Sequence, residues 1–276
     1  MSATPSTSSE RAPRTRGARL GAYVPWQARD YLVDRGAPTV LIGLLFGYMV
    51  AGGMVRAMNL TLQQMSPAAL ARAGGAAAAR ASAVANLTSI FLETALGNLV
   101  FLGALFAMNG IVANDRKQGF YRFLFSKPVS PDRYYGQAFL VHWAGFLVVV
   151  TLLGLIYQAL IGPVLTVPLY AAVSLLYLCY AGIAFALSAA ARWDWLSLVA
   201  VTVLSNYLWL MYGTSTSAAA WVLYLFPPLH RTSAVYTAVA GGTALPWSLL
   251  AWFAGYGAIC FAIGLVVLRH RRLAII

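Results

Sequence analysis

Long apolar runs broken by short polar islands set the pattern of this chain. Residues 38–55 carry no charge between Arg35 and Arg56, and they predict a first membrane span. Within it Gly43-x-x-x-Gly47, with Ala51 one step further, offers either a close helix-packing face or the glycine content common to membrane helices. From Arg56 the chain turns polar and then rich in Ala and Arg. Ser66-Pro67 reads as a cap and first turn of a short helix that Gly74-Gly75 should interrupt. A second span is predicted over 85–112. Its 28 residues would make about 42 Å of helix at ~1.5 Å per residue. That is longer than the ~30 Å hydrocarbon core, so it should tilt or project. No Asp, Glu, Lys or Arg occurs from Tyr134 to Ala191. Gly162-Pro163 and Pro168 divide that run into spans at 134–161 and 169–190, and the loop 191–195 returns the chain through a fifth at 195–212. Between 213 and 245 lie two short apolar segments, 218–226 and 232–240, separated by Pro227-Pro228, His230 and Arg231. Each is too short to cross, so both are predicted to dip in and return, re-entrant and either packed against protein or lining a cavity. A sixth span, 246–268, stops at Arg269-His-Arg-Arg272.

The one charged island between the longest apolar regions is 112–137. It holds five basic and two acidic side chains. From Asp115 to Lys127, Phe120, Phe123 and Leu124 fall at i, i+3 and i+4 with Arg116, Lys117 and Arg122 among them, which predicts a short amphipathic helix. Ser130-Pro131-Asp132 then supplies an N-cap, a proline for the first helical position and an early acid. Two readings fit the island: a basic loop lying on lipid headgroups, or a docking element for a cytoplasmic partner.

Composition turns the pattern into a class. Only 9% of residues are charged and 61% are hydrophobic, and the mean hydropathy is +0.73. A water-soluble domain carries about 25% charged residues, so this is an all-α integral membrane protein of six spans. The net charge of +12 then reports orientation and not nucleic-acid binding. Residues 1–22 form a basic Ser-, Thr- and Pro-rich tail, expected to be solvated and disordered, and 273–276 a short C-terminal tail. Between them, 23–272 is one membrane domain. Its first element, 23–35, mixes Trp26 and Tyr31 with Arg29, Asp30, Asp34 and Arg35, as a helix lying in the interface would. Six spans put both termini on one side. With that side cytoplasmic, 15 of 19 Lys and Arg lie inside, and only Arg56, Arg72, Arg80 and Arg231 outside.

Much chemistry is missing. Lys117 and Lys127 are the only lysines and neither follows a glycine, so no phosphate-cradling loop exists. His142, His230 and His270 fall in unrelated elements, and Cys179 and Cys260 sit in apolar runs without a spacing motif, which predicts no metal site. Gly213-Thr-Ser-Thr-Ser does not match the motif of six-span serine proteases. Glu93 is the carboxylate within an apolar span. A charge at membrane depth costs roughly 2.5–3.5 kcal/mol on insertion scales. Either it reaches the outer interface, or it lines a transport path with Asn98, and with Thr88 and Thr94 nearby.

The island resembles the signature of the ABC-2 family of ABC-transporter permeases. The pieces are Asn114-Asp-Arg-Lys-Gln-Gly119, Phe123-Leu-Phe-Ser-Lys-Pro128 and Val129-Ser-Pro-Asp-Arg-Tyr-Tyr-Gly136, in which Pro128, Ser130 and Tyr134 match a Pro-x-Ser-x-x-x-Tyr approach to the third span. Leu225-Phe-Pro-Pro-Leu-His230 is similar to the family's proline-containing outer segment. The match covers 23–272 and rests on the order of loose motifs; the family's acid two or three residues before the glycine is often Glu, whereas here Asp115 lies farther back. The resemblance implies a non-catalytic permease subunit in the inner (plasma) membrane with both termini cytoplasmic. It would pair with a second copy, as a homodimer, and with two copies of a separate ATPase subunit that holds ATP-Mg; the chain itself would need no cofactor. Asp115, Arg116, Lys117, Phe120, Arg122, Phe123 and Leu124 would form the coupling helix, and Glu93 and Asn98 would lie on a path used mostly for export. The alternatives are a secondary transporter, which would need more intramembrane ionisable groups, and an intramembrane enzyme, which the missing catalytic residues disfavour.

Overall fold

The computed structural model describes residues 24–30, 37–108, 111–112, 115, 130–190, 196–214, 223–224 and 226–270. Among these the chain is helical, with no strand. Helix α1 is Val24–Asp30 and α2 Ala37–Gln64. Helix α3 is Pro67–Arg72, and α4 Ala76–Ile90 runs through a π-helical turn, Phe91–Leu96, into α5, Gly97–Met108. Helices α6 Pro131–Leu160, α7 Val167–Ala190 and α8 Leu196–Tyr212 come next. A 3-10 turn, Leu229–Arg231, leads into α9, Thr232–Ala240, and the chain closes with α10, Trp247–His270. Four helical stretches are long and apolar enough to cross a membrane: Ala76–Met108, Pro131–Leu160, Val167–Ala190 and Trp247–His270.

The local signals act at their expected positions. Ser66 caps α3, its Oγ accepting from the Ala69 amide at 3.2 Å, with Pro67 in the first turn. Gly74 and Gly75 separate α3 from α4 at φ of +83° and +98°, values that a residue with a Cβ rarely adopts. Helix α6 starts at Pro131 after an extended Ser130, whose side chain makes no capping hydrogen bond, and stops before Gly162-Pro163. Two helices outrun their charge-free segments. Helix α2 continues past Arg56 to Gln64 because the arginine can reach solvent there and the next residues are good helix formers. The second apolar helix starts at Ala76, since the Ala-rich stretch before residue 85 propagates helix without being strongly apolar. Its 33 residues span about 50 Å at ~1.5 Å each, well beyond a ~30 Å core.

Helix α7 is the centre. Its Leu169, Ala172, Val173, Leu176, Tyr177 and Phe185 are buried, and α5, α6, α8, α9 and α10 all pack on it. The closest approach is to α10. A Cβ at Gly182 would overlap the Gly257 backbone, one at Gly257 would meet the Leu178–Cys179 backbone, and one at Gly264 would press the Phe185 ring. In lipid, apolar side chains gain little by leaving hydrocarbon, so close backbone contact between small residues carries helix association. The Gly47 and Ala51 stripe works likewise: both are buried on α2, which packs on α6, and a Cβ at Gly47 would run into Leu153. Aromatic stacking adds to this, Phe146 on Tyr177 at 4.6 Å and Phe91 on Tyr157 at 4.2 Å between ring centroids.

Gly182→Ala should therefore force α7 and α10 apart and destabilise the bundle by about 3 kcal/mol. Gly52→Ala, where an added Cβ meets nothing within 4 Å, should be neutral or stabilise by up to about 1 kcal/mol. Thermal unfolding in detergent checks both: Tm should drop by several degrees for Gly182→Ala and hold or rise for Gly52→Ala.

Candidate functional site

Two ends of the bundle differ in chemistry. At one, the Val112 amide donates to Ser188 Oγ at 3.2 Å, which holds Val112 against the end of α7. The Tyr135 hydroxyl donates to Asp115 at 3.1 Å. Gln27 of α1 donates through Nε2 to the Tyr134 carbonyl at 3.3 Å. Arg269, at the end of α10, donates Nε to both Asp132 oxygens at 3.0 and 3.1 Å and also pairs through a terminal guanidinium nitrogen. An exposed ion pair of this kind adds little stability, and its effect is to set where two helix ends meet. Of the predicted docking residues, Asp115 belongs to this end. Arg116, Lys117, Phe120, Arg122, Phe123 and Leu124 lie outside the described residues.

Glu93 and Asn98 belong to the opposite end and come together in one cleft of about 390 Å³. Glu93 lies 15 residues before Met108, the end of α5. It is the third residue of the π turn. A π turn inserts one extra residue into the helical ladder and rotates the remainder of the helix about its axis, and such turns gather at functional sites. The wall it forms is completed by Gly97, Asn98 and Phe101. The second wall is one face of α8, Val199, Thr202, Val203 and Asn206, at i, i+3, i+4 and i+7. The end is closed by Leu229, Thr232, Ser233 and Tyr236 at the same spacing, and Tyr180 of α7 forms the floor.

Glu93 accepts a hydrogen bond from Thr237 Oγ1 of α9 at 3.1 Å and has no ion pair among the described residues. Asn98 turns its Nδ2 back onto the Thr94 carbonyl at 2.6 Å. Thr88 does not serve the cleft: its hydroxyl meets Tyr157 at 2.8 Å, toward α6. The α8 wall is tied to the segment before α9 by Ser205, which is buried and donates to the Pro227 carbonyl at 2.7 Å. Beyond it, Trp209 meets Tyr224, His230 and Trp252 at centroid distances of 6.0, 4.9 and 6.3 Å. Burial, and secondarily the neighbouring Arg231, push the His230 imidazole below its ordinary value, so it is neutral near pH 7.

The α8 wall and the α9 cap were missed as site elements by sequence reasoning, although Thr202 and Asn206 share one helical face with Val199 and Val203. What the spacing could not say is which helix faces them. Among the described residues no group of three or more His, Cys, Asp or Glu gathers to hold a metal ion. In comparisons with known proteins, no family model and no curated protein matches the chain.

Ser205→Ala would remove one of two donors to the buried Pro227 carbonyl, which keeps the Leu229 amide at 2.8 Å, and should cost about 0.5–1.5 kcal/mol. Thr202→Ala, three residues away, removes a hydroxyl bonded only within its own helix, to Leu198, and should be near neutral. The two Tm values in detergent decide whether this tether holds the cleft's end in place.

Proposed function

We propose that the chain is the membrane-spanning permease subunit of an ABC transporter of the ABC-2 type, an exporter working as a homodimer. ATP-Mg is bound and hydrolysed by two copies of a separate ATPase subunit. The chain crosses the inner (plasma) membrane six times, with both termini in the cytoplasm. Helix α2 has 28 residues and an apolar first part, and α8 has 17 residues; these two complete the count with the four longer helices. The observation that carries the reading is the convergence at the Asp132 end. There α1, the two flanks of the charged island (Asp115 and Asp132) and the end of α10 are joined by side-chain hydrogen bonds and an ion pair. Both flanks of the island are thus held against the bundle, so a push on the island would reach α6 and α10 directly. A docking element driven by ATP needs such a stiff mounting. The cleft around Glu93 opens at the other end, where an exporter delivers its substrate. Charge supports the orientation, because most Lys and Arg fall on the side of the island.

The test is Phe123→Asp, which places a charge on the apolar stripe of the island. A buried aromatic anchor carries about 2 kcal/mol or more of an interface, so capture of the ATPase subunit should weaken by about 30-fold. Permease-stimulated ATP hydrolysis should fall with it, while the variant still inserts in the membrane at normal yield. Capture and hydrolysis at unmutated levels would overturn the island as docking site.

A further inference from the structure

The hydrogen-bond inventory of the cleft limits what it can hold. The hydroxyl protons of its threonines are already engaged with carbonyls of their own or the adjoining turn. Thr202 donates to Leu198 O at 2.8 Å and Thr232 to Leu229 O at 2.9 Å. Thr237, beside the cleft, has a single hydroxyl proton, shared between Ser233 O and Glu93. What these hydroxyls have left are lone pairs. Asn206, on the α8 wall, has its Oδ1 enclosed with no hydrogen-bond partner. That oxygen is closed off from the open space of the cleft, so it is not a contact for a ligand there. Glu93 is the charged residue among those lining the cleft, and its partner among the described residues is a neutral hydroxyl. Ser233, Tyr180 and Tyr236 can donate or accept. The site thus offers a carboxylate, hydroxyl lone pairs and the amide N–H groups of Asn98 and Asn206, with no Lys or Arg among its lining residues.

Its remaining surface is aromatic and aliphatic. Phe101 and Tyr180 meet edge to face at 5.6 Å, with Val199, Val203 and Leu229 beside them. Aromatic faces attract cations, more strongly where water is excluded. Next to the cleft the same two helices leave large apolar side chains uncovered by the chain: Leu102 and Phe106 on α5, Leu204 and Tyr207 on α8. A hydrocarbon tail attached to a ligand in the cleft would lie along that surface in the lipid.

We infer that the cleft binds an amphipathic amine, a cationic N–H-bearing head on an apolar body, with the ammonium at Glu93 on the side of Phe101 and Tyr180. The inference deepens the transport reading and names the substrate class of the same site. Anionic amphiphiles are rejected, because they would face Glu93 and the threonine lone pairs. Quaternary ammonium amphiphiles bind more weakly, because they satisfy the charge and the aromatic faces but have no proton for the Glu93 carboxylate or the threonine lone pairs.

The test uses the full chain in phosphatidylcholine nanodiscs and a photoactivatable dodecylamine whose attachment sites are mapped by mass spectrometry. Saturable labelling is expected in 93–101 and 199–206. Dodecylamine should displace it at concentrations at least 10-fold lower than dodecyltrimethylammonium, and dodecanol and dodecyl sulfate should displace it poorly. Displacement by hexylamine at similar free concentration would assign a water-borne source, and its failure a membrane-resident one. Glu93→Gln should reduce saturable labelling at least 10-fold and Phe101→Leu about fivefold, each with an unchanged elution profile. Equal displacement by dodecyl sulfate, or full labelling of Glu93→Gln, overturns the inference. Should either variant fail to fold, the competitor series on the unmutated chain decides alone. The assay needs no ATPase, so a negative result leaves the permease reading standing, and a chain without an ATPase partner can still show the selectivity.

Discussion

The backbone-to-backbone contact of α7 and α10 at Gly182 and Gly257 is the constraint on which the rest of this molecule depends. In lipid there is no gain from hiding one apolar side chain against another, so helices associate where small residues let their backbones meet. Helix α7 satisfies that condition on the α10 side and turns Tyr177, Leu176 and Tyr180 to its other neighbours. Helices α5 and α8 both pack on it, and the cleft is the space they leave between them over Tyr180. Had the α7–α10 crossing been filled by larger side chains, the floor of that cleft would have no fixed position.

A second constraint is the unequal length of the helices. The stretch Ala76–Met108 has 33 residues while α7 has 24, and the bond between Val112 and Ser188 holds the chain after that stretch against the end of α7. The excess length must therefore project at the other end. Glu93, on the longer stretch, lies in the cleft and accepts from Thr237, which reduces the cost of a carboxylate there. The same offset divides the labour of the molecule: a charged, cross-linked end beside α1, and a carboxylate-bearing cleft closed by α9.

Much of this arrangement could be read along the chain. Charge-free runs locate α6, α7, α8 and α10 to within a few residues, because lipid admits few charges and Gly162-Pro163 can only be a break. Ser66-Pro67, Gly74-Gly75 and Ser130-Pro131 mark helix ends through local backbone chemistry alone. The π turn at Phe91–Leu96 left no trace, since one extra residue in a helix of uniformly apolar composition changes no visible period. Glu93 and Asn98 stood out as polar residues in an apolar run. Thr237 and Asn206, which complete their surroundings, are 144 and 113 positions from Glu93; only the fold brings them together, and periodicity carries no information about which faces meet. The extension of α2 to Gln64 was hidden for a different reason: a charge marks where a span leaves lipid, not where its helix stops.

The central claim is that this membrane domain is driven by a separate ATPase docked at the Asp132 end. Its most direct test is purification of the tagged full-length chain from its native membranes under mild conditions, with every co-purifying protein identified and its stoichiometry counted. The account expects an ATP-binding-cassette subunit in a one-to-one ratio with the permease, in a particle containing two copies of each. Recovery of the chain alone, or only with further copies of itself, under conditions that preserve other membrane complexes from the same cells would contradict it.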